Sequence, residues 1–321
     1  MSIIIPCKNG AAWLGEAIES CLGQTWPDIE IIVVDNGSTD ASLAVAKRYR
    51  SASVTVLECH RKGASAARNR GIEQAHGDYI QFLDADDMLD PDKIRVQVER
   101  LSALPAGVVA SGAWARFSRR VDEAPFAAEA VWRDLSGEDF LISSWSGGGM
   151  MPNFAWLVPR SILAKAGRWN EQLSLNDDGE FFCRVALTAT GIAFCDGARG
   201  YYRSGGASTL SRRRDSEALA SAFTAIELSC ASLLQRCGSA RATRACAMQY
   251  QRFAYDAYPA MRDLVTVAER RAAQLGGSGL RPQGGAVFTA AARWLGWRAA
   301  QRCRSAWWRV RGLATIAADR R

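Results

Sequence analysis

Residues 79–94, "YIQFLDADDMLDPDKI", bring a β-forming apolar run to an end at Leu83 and follow it at once with three carboxylates, Asp84, Asp86 and Asp87. Asp is common in turns and at helix starts, so one or two acids between a strand and a helix need no special reason. Three do, because they repel one another. Asp84 and Asp86 are alternate residues, and on an extended segment alternate side chains point the same way and can address one ligand. A bound cation would relieve the repulsion. His occurs only at 60 and 76, and none of the nine cysteines forms a CxxC pair, so such an ion is expected to be hard and oxygen-bound, Mg²⁺ or Mn²⁺. A second acidic pair, Asp177 and Asp178, stands ahead of "GEFFCRVALT". By itself it suits the N-cap of a helix.

The elements that must position these acids alternate along the first hundred residues. Apolar runs "SIIIP", "IEIIVVD", "VTVLE" and "DYIQFL" read as strands, separated by helical patterns at 11–22, from Ser38 through "DASLAVAKRY", and over "GASAARNRGIEQA". Pro91 opens a further helix. Continuous apolar strands between helices predict a parallel sheet covered on both faces, with ligands beyond the carboxyl ends of the strands. Pro6, Asp35 and Asp84–Asp87 all fall at those ends. Residues 105–175 are less regular: "FAWLVPR" reads as a strand and "SWSGGGMMPN", with Trp145, as a structural loop. A helix is expected from 179 to 190, and the pattern after Ser216 is helical almost throughout, broken by a Gly-rich linker at 276–285.

The linked motifs "SIIIPCKNGAAWLGEAIESCLGQTWPDIEIIVVDNGSTD", "ASAARNRGIEQAHGDYIQFLDADD" and "GRWNEQLSLNDDGEFFCRVALTATG" resemble family 2 glycosyltransferases over about the first two-thirds of the chain. The resemblance implies a GT-A fold, a Rossmann-like α/β architecture with a mainly parallel sheet flanked by helices, here carrying a helical C-terminal extension. It also implies metal-dependent transfer of a sugar from a nucleotide diphosphate with inversion. By this resemblance Pro6 shapes the base pocket and Asp35 accepts a hydrogen bond from the base. Asp86 coordinates Mn²⁺ or Mg²⁺ bridging the donor phosphates. Asp84 contacts the ribose or steadies the metal shell, and Asp87 lies behind them or caps the next helix. Arg68 supports the diphosphate and the D-x-D strand. Asp178 is the general base, with Asp177 where the family usually has Glu, and Glu180, Phe181 and Arg184 match the helix behind. A His common in the segment resembling "YYRSGGASTLS" is absent, which leaves Arg203 or Ser208 to face the diphosphate.

Bulk composition bounds the alternatives. The 321 residues are 48% hydrophobic and 23% charged, an ordinary globular balance, with no apolar run of about 18 residues and no signal-like leader at "MSIIIPCKNG". The odd number of cysteines, mostly in apolar stretches, suits free thiols in a reducing cytoplasm. Residues 1–209 carry 21 Lys and Arg against 26 Asp and Glu, whereas 210–321 carry 19 against 7, so an acidic catalytic domain at 1–209 and a basic helical region at 210–321 are expected. A nucleic-acid binder is disfavoured because the basic charge lies outside the sheet region and no nucleic-acid motif accompanies it. A sugar-1-phosphate nucleotidyltransferase would want a GxGxR loop that "CKNGA" lacks, and an inactive scaffold of the same fold is disfavoured by the acids at 35, 84, 86 and 178. Thirty-five Arg against five Lys matches the codon usage of a GC-rich bacterium, in which such enzymes build surface polysaccharide or glycolipid on saccharide or lipid-linked acceptors.

The basic tail adds one further expectation. On an ideal helix Phe288, Ala292, Leu295, Ala299, Cys303, Ala306, Val310 and Leu313 form an inward stripe. Trp297 and Trp308 then face outward among Arg293, Arg304 and Arg311. Trp mixed with Arg suits an anionic membrane surface, which would place the protein peripherally on the cytoplasmic face of the inner membrane; the alternative is that these tryptophans are buried against the helices at 216–274.

Overall fold

Ile3–Ile5 and Ile31–Val34 are buried on both faces of their strands, and this places β1 (Ser2–Cys7) and β2 (Glu30–Asp35) at the centre of a five-stranded sheet. The computed structural model describes residues 1–118, 120–204 and 214–304. β3 (Val54–Glu58) and β4 (Tyr79–Phe82) join in parallel, and the short β7 (Val158–Pro159) closes one edge antiparallel, giving the order β3-β2-β1-β4-β7. Between them run α1 (Leu14–Leu22), α2 (Ser42–Arg48), α3 (Ala64–Gln74) and α4 (Lys93–Ser102). Gly71 lets α3 lie against β1, since a Cβ there would stand 2.4 Å from Ile4 Cγ2.

Register sets the rim. Cys7 pairs with Asp35 and Asp35 with Glu58, while Leu83 N donates to Ile4 O, so Pro6, Asp35 and Asp84 all come out at one carboxyl edge. The connections change direction between β1 and β4, the place where open α/β sheets leave a crevice.

A second sheet, absent from the sequence-based expectations, lies against this rim. β8 (Gly191–Arg203) pairs in parallel with β6 (Val108–Phe117) and antiparallel with β5 (Met88–Leu89). It carries Arg203 under the acidic loop. The expected strand at 154–160 shrinks to β7, preceded by a 3₁₀ turn at Asn153–Ala155. The Gly-rich loop begins as a widened π-type turn (Ser144–Gly148) after α5 (Gly137–Ser143).

α6 (Arg160–Ala166) leads to α7 (Asp177–Thr188), which starts on the acid pair rather than after it. α8 (Ser216–Arg236), capped by Asp215, packs on α7, and α9 (Ala240–Ala257), capped by Ser239, packs on α8, followed by α10 (Arg262–Gln274). Leu219, Phe223, Ile226 and Cys230 belong to one apolar core with Ile4, Phe82 and Phe181, so no break in the core separates the helices after 210 from the sheet. α8 is long and apolar enough to cross a bilayer by length and composition, which the sequence reading did not anticipate, and more than half of its apolar window is buried here. The 276–285 stretch is partly held: Tyr255 Oη donates to Leu280 O at 2.8 Å.

The expected tail stripe holds only in part. α11 (Ala286–Leu295) ends where Gly296 takes φ +79°, and this turns the following residues out of phase. Phe288 is buried, but Leu295 and Cys303 are exposed. Trp297 faces inward, 4.8 Å from Tyr255 and 5.2 Å from Tyr258 between ring centroids, and Arg304 stacks over Phe288. Ala306, Trp308, Val310, Arg311 and Leu313 lie outside the described residues, as does Ser208.

Candidate active site

Asp35 closes β2 almost wholly buried. Its Oδ2 accepts from Ser38 N at 3.1 Å, and its Oδ1 has no partner. A buried carboxylate oxygen left open is costly unless a donor arrives. Pro6 is buried on the neighbouring strand, paired in register with Val34.

Arg68, 4% exposed on α3, joins the two acidic clusters. Nη2 donates to Asp84 Oδ1 at 2.8 Å and Nη1 to Asp177 Oδ2 at 3.0 Å, and the guanidinium lies 4.3 Å from the centre of the Trp169 ring. Burial works against its charge, but the Asp84 and Asp177 carboxylates outweigh that cost and keep it protonated. Ser65, one turn earlier, donates to the same Asp177 oxygen at 2.7 Å. Asn153 Nδ2 reaches Asp84 Oδ2 at 3.3 Å. Ser65, Trp169 and Asn153 escaped the sequence reading. Only Ser65 left a signal, its i,i+3 spacing from Arg68.

The D-x-D loop is electrostatically unbalanced. Burial, then the charge of Asp84, pushes the Asp86 carboxyl up to about 6, and burial with both neighbours raises Asp87 well above the carboxylate range. Asp87 Oδ1 accepts from Arg203 N at 2.9 Å. Arg203 does not extend freely into the cleft. Its Nη2 pairs with Glu16 at 2.6 Å, its Nε donates to Asp86 O at 2.8 Å, and its guanidinium sits between the Trp13 and Phe117 rings. It is a strut beneath the turn. Among the described residues no three His, Cys, Asp or Glu side chains converge to hold an ion by themselves. Asp86 nonetheless fits a Mg²⁺-type ion, which commonly takes one or two carboxylates and completes its shell with substrate phosphates and water.

The acid pair divides its labour. Asp177 is engaged by Arg68 and Ser65, whereas the Asp178 side chain accepts from Gly179 N at 2.8 Å. Burial first, and the Asp177 charge second, push Asp178 up to about 6, with Arg68 pulling the other way. A carboxyl poised there can take a proton near neutral pH. Glu180 and Arg184 bond each other and brace the corner between α6 and α7, Arg184 also donating to Arg168 O. Phe181 stacks on Trp169 at 4.0 Å.

Comparison with known proteins identifies the family and the fold. Residues 2–165 match the family model described as glycosyl transferase family 2. An uncharacterized glycosyltransferase of Haemophilus influenzae is 41% identical over 101 residues, 30% of this chain and 40% of that one. YibD of Escherichia coli, likewise an uncharacterized glycosyltransferase, is 45% identical over 93 residues, 28% of this chain and 27% of its own. These matches therefore span less than half of the relatives' length. The glycosyltransferase GlyG of Streptococcus pneumoniae is 28% identical over 214 residues, 63% of this chain and 70% of its own. Among solved structures, S. aureus TarS 1-349 in complex with UDP-GlcNAc superposes with a TM-score of 0.68 at 18% identity, covering 85% of this chain and 80% of that one, which establishes the shared fold.

Proposed function

Because this chain belongs to glycosyl transferase family 2, we propose that it transfers a sugar from a nucleotide-diphosphate sugar to a hydroxyl acceptor with inversion, in a metal-dependent reaction. One observation carries the reading: Arg68 ties the D-x-D acid Asp84 to Asp177, whose neighbour Asp178 is the raised carboxyl. A donor-binding group and a proton acceptor are thereby coupled through one buried cation.

Asp35 Oδ1 accepts from the base of the nucleotide, Pro6 walls the base pocket, and Asp84 faces the ribose. Asp86 would hold Mn²⁺ or Mg²⁺, and the ion would offset the negative charge of the departing nucleoside diphosphate. Asp178 removes the acceptor hydroxyl's proton as that oxygen attacks the anomeric carbon from the face opposite the diphosphate. The new C–O bond forms as the bond to the diphosphate oxygen breaks, and the leaving group carries away the electron pair. Arg68 pairs with Asp177 beside Asp178, and Arg203 fixes the backbone of Asp86. TarS bound to UDP-GlcNAc makes UDP the first nucleotide to try. Bacterial surface polysaccharide or glycolipid synthesis is the pathway we infer.

The test is a thermal-shift panel of nucleoside diphosphates and nucleotide sugars with Mn²⁺ or Mg²⁺. Ligand binding to the folded state raises the melting temperature by mass action. One nucleotide should stand out in the native protein and fail in Asp35→Ala. No response to any nucleotide would overturn the reading.

A second reading concerns α11. Val287, Trp294 and Leu295 are 86%, 84% and 68% exposed, positions i, i+7 and i+8 share one helix face, and Arg293 on the same helix is exposed. We infer that this face, rather than Trp297, meets an anionic membrane surface on the cytoplasmic side and brings the site toward a lipid-linked acceptor.

A further inference from the structure

Lys93 and Gln97, one turn apart on α4, and Gln81 on β4 are buried polar side chains that the transfer reaction leaves unused. They converge on one stretch of chain. Gln81 Nε2 donates to Phe154 O at 3.0 Å, Gln97 Nε2 to Ala155 O at 2.9 Å and Lys93 Nζ to Trp156 O at 3.4 Å. Three consecutive buried carbonyls are thus held by side chains. Lys93 Nζ also donates to Gln81 Oε1, so it bonds two uncharged oxygens. Burial pushes its amine well below the usual lysine range, with the Cys195 and Cys21 sulfurs pulling the other way.

Asn153 stands immediately before this held stretch, in the 3₁₀ turn. It is 5% exposed, and its Nδ2 donates to Asp84 Oδ1 at 3.4 Å and Oδ2 at 3.3 Å. Its Oδ1 is buried without a partner. A buried acceptor left open destabilises the folded state. Turning the amide over gives no escape, because it would set oxygen against the Asp84 carboxylate. An aliphatic side chain would avoid the orphaned oxygen but lose the contact with Asp84. Stability given up for a contact at the D-x-D turn is the signature of a site residue rather than a framework one. Arg68 holds Asp84 from α3, and Asn153 is a second support on a segment that α4 and β4 fix.

We propose that Asn153 is a positioning residue that fixes the Asp84 carboxylate for the nucleotide donor, and that Gln81, Lys93 and Gln97 set Asn153 in place through the carbonyls that follow it. This rests on Asp84 facing the donor. It gives the buried lysine of α4 a part in donor binding, exerted through Asn153 and without contact with the nucleotide.

Calorimetry on the full chain with Mn²⁺ and UDP, or GDP and dTDP where UDP does not bind, measures donor affinity, and the melting temperature is read beside it. Asn153→Leu keeps most of the side-chain volume. It should weaken nucleotide binding roughly tenfold, the low end for a hydrogen bond to a charged group, because both contacts are long. Its melting temperature should stay at or above that of the native protein, because the orphaned oxygen is gone. Lys93→Met should also weaken binding, and that effect should vanish in the Asn153→Leu background, since a residue acting through another adds nothing once the other is removed. Gln97→Leu enters the same cycle if Lys93→Met does not fold. The proposal is overturned if Asn153→Leu binds nucleotide as the native protein does, or if the α4 substitution weakens binding equally in both backgrounds. A native protein that binds no nucleotide would sink the donor reading, and the positioning role with it.

Discussion

Arg68 Nη1 lies 3.0 Å from Asp177 Oδ2 in the interior, where α3 and α7 meet. The same guanidinium reaches Asp84, so Arg68→Met leaves two carboxylates without their cation. Breaking a buried ion pair typically costs 3–5 kcal/mol, and Asp84 is partly solvated, so we expect a loss of about 3 kcal/mol in chemical denaturation. Arg68→Lys should retain much of the stability, because charge survives, yet lose most turnover, because one ammonium cannot fork to both acids. Equal activity of Arg68→Lys and native protein would show that the bridge is not needed for transfer.

The acid limb of the pH profile should report Asp178. Its carboxyl, raised to about 6, must be ionised to accept a proton, so kcat/KM should fall as pH drops through 6, by about tenfold per pH unit below it. Asp178→Asn should remove that limb and slow transfer by about 10²–10⁴-fold while nucleotide binding survives. If binding fell in step with turnover, Asp178 would be part of the framework, and Asp177 would be the next candidate.

Asp86→Asn keeps the size of the side chain and removes its charge. We expect lost metal-dependent nucleotide binding, measured calorimetrically with Mn²⁺, and a melting temperature at or above that of the native protein, because a desolvated carboxyl beside Asp84 is relieved. Full activity of the native protein in EDTA would sink the metal role.

Membrane attachment is checked by co-sedimentation with anionic and neutral liposomes. Replacing Val287, Trp294 and Leu295 together by Ser should abolish binding to anionic vesicles, and salt should weaken the native interaction by screening its arginines. Binding that persists in the triple variant, or that ignores lipid charge, would exclude this face.

The sequence by itself determined the strands and the acids at their tips. Parallel strands covered on both faces must be apolar throughout, so "SIIIP", "IEIIVVD" and "VTVLE" could be read directly, and functional groups must then fall where those runs stop. Tertiary structure decided the rest. β6 and β8 are Gly- and Ala-rich and pair across about 80 residues with a register shift at Gly112, so neither had a local periodicity to betray it. Arg203 became a strut because β8 delivers it to Glu16, a contact between residues 187 positions apart. Trp297 turned inward because Gly296 at φ +79° broke the phase an ideal helix would have kept. Trp145, read from sequence as part of a structural loop, shares a cavity with Asp178 only because α8 and α9 return from the far end of the chain to close it. Local patterning constrains which side a residue faces within its own element, whereas the partner on that side is chosen by packing between elements.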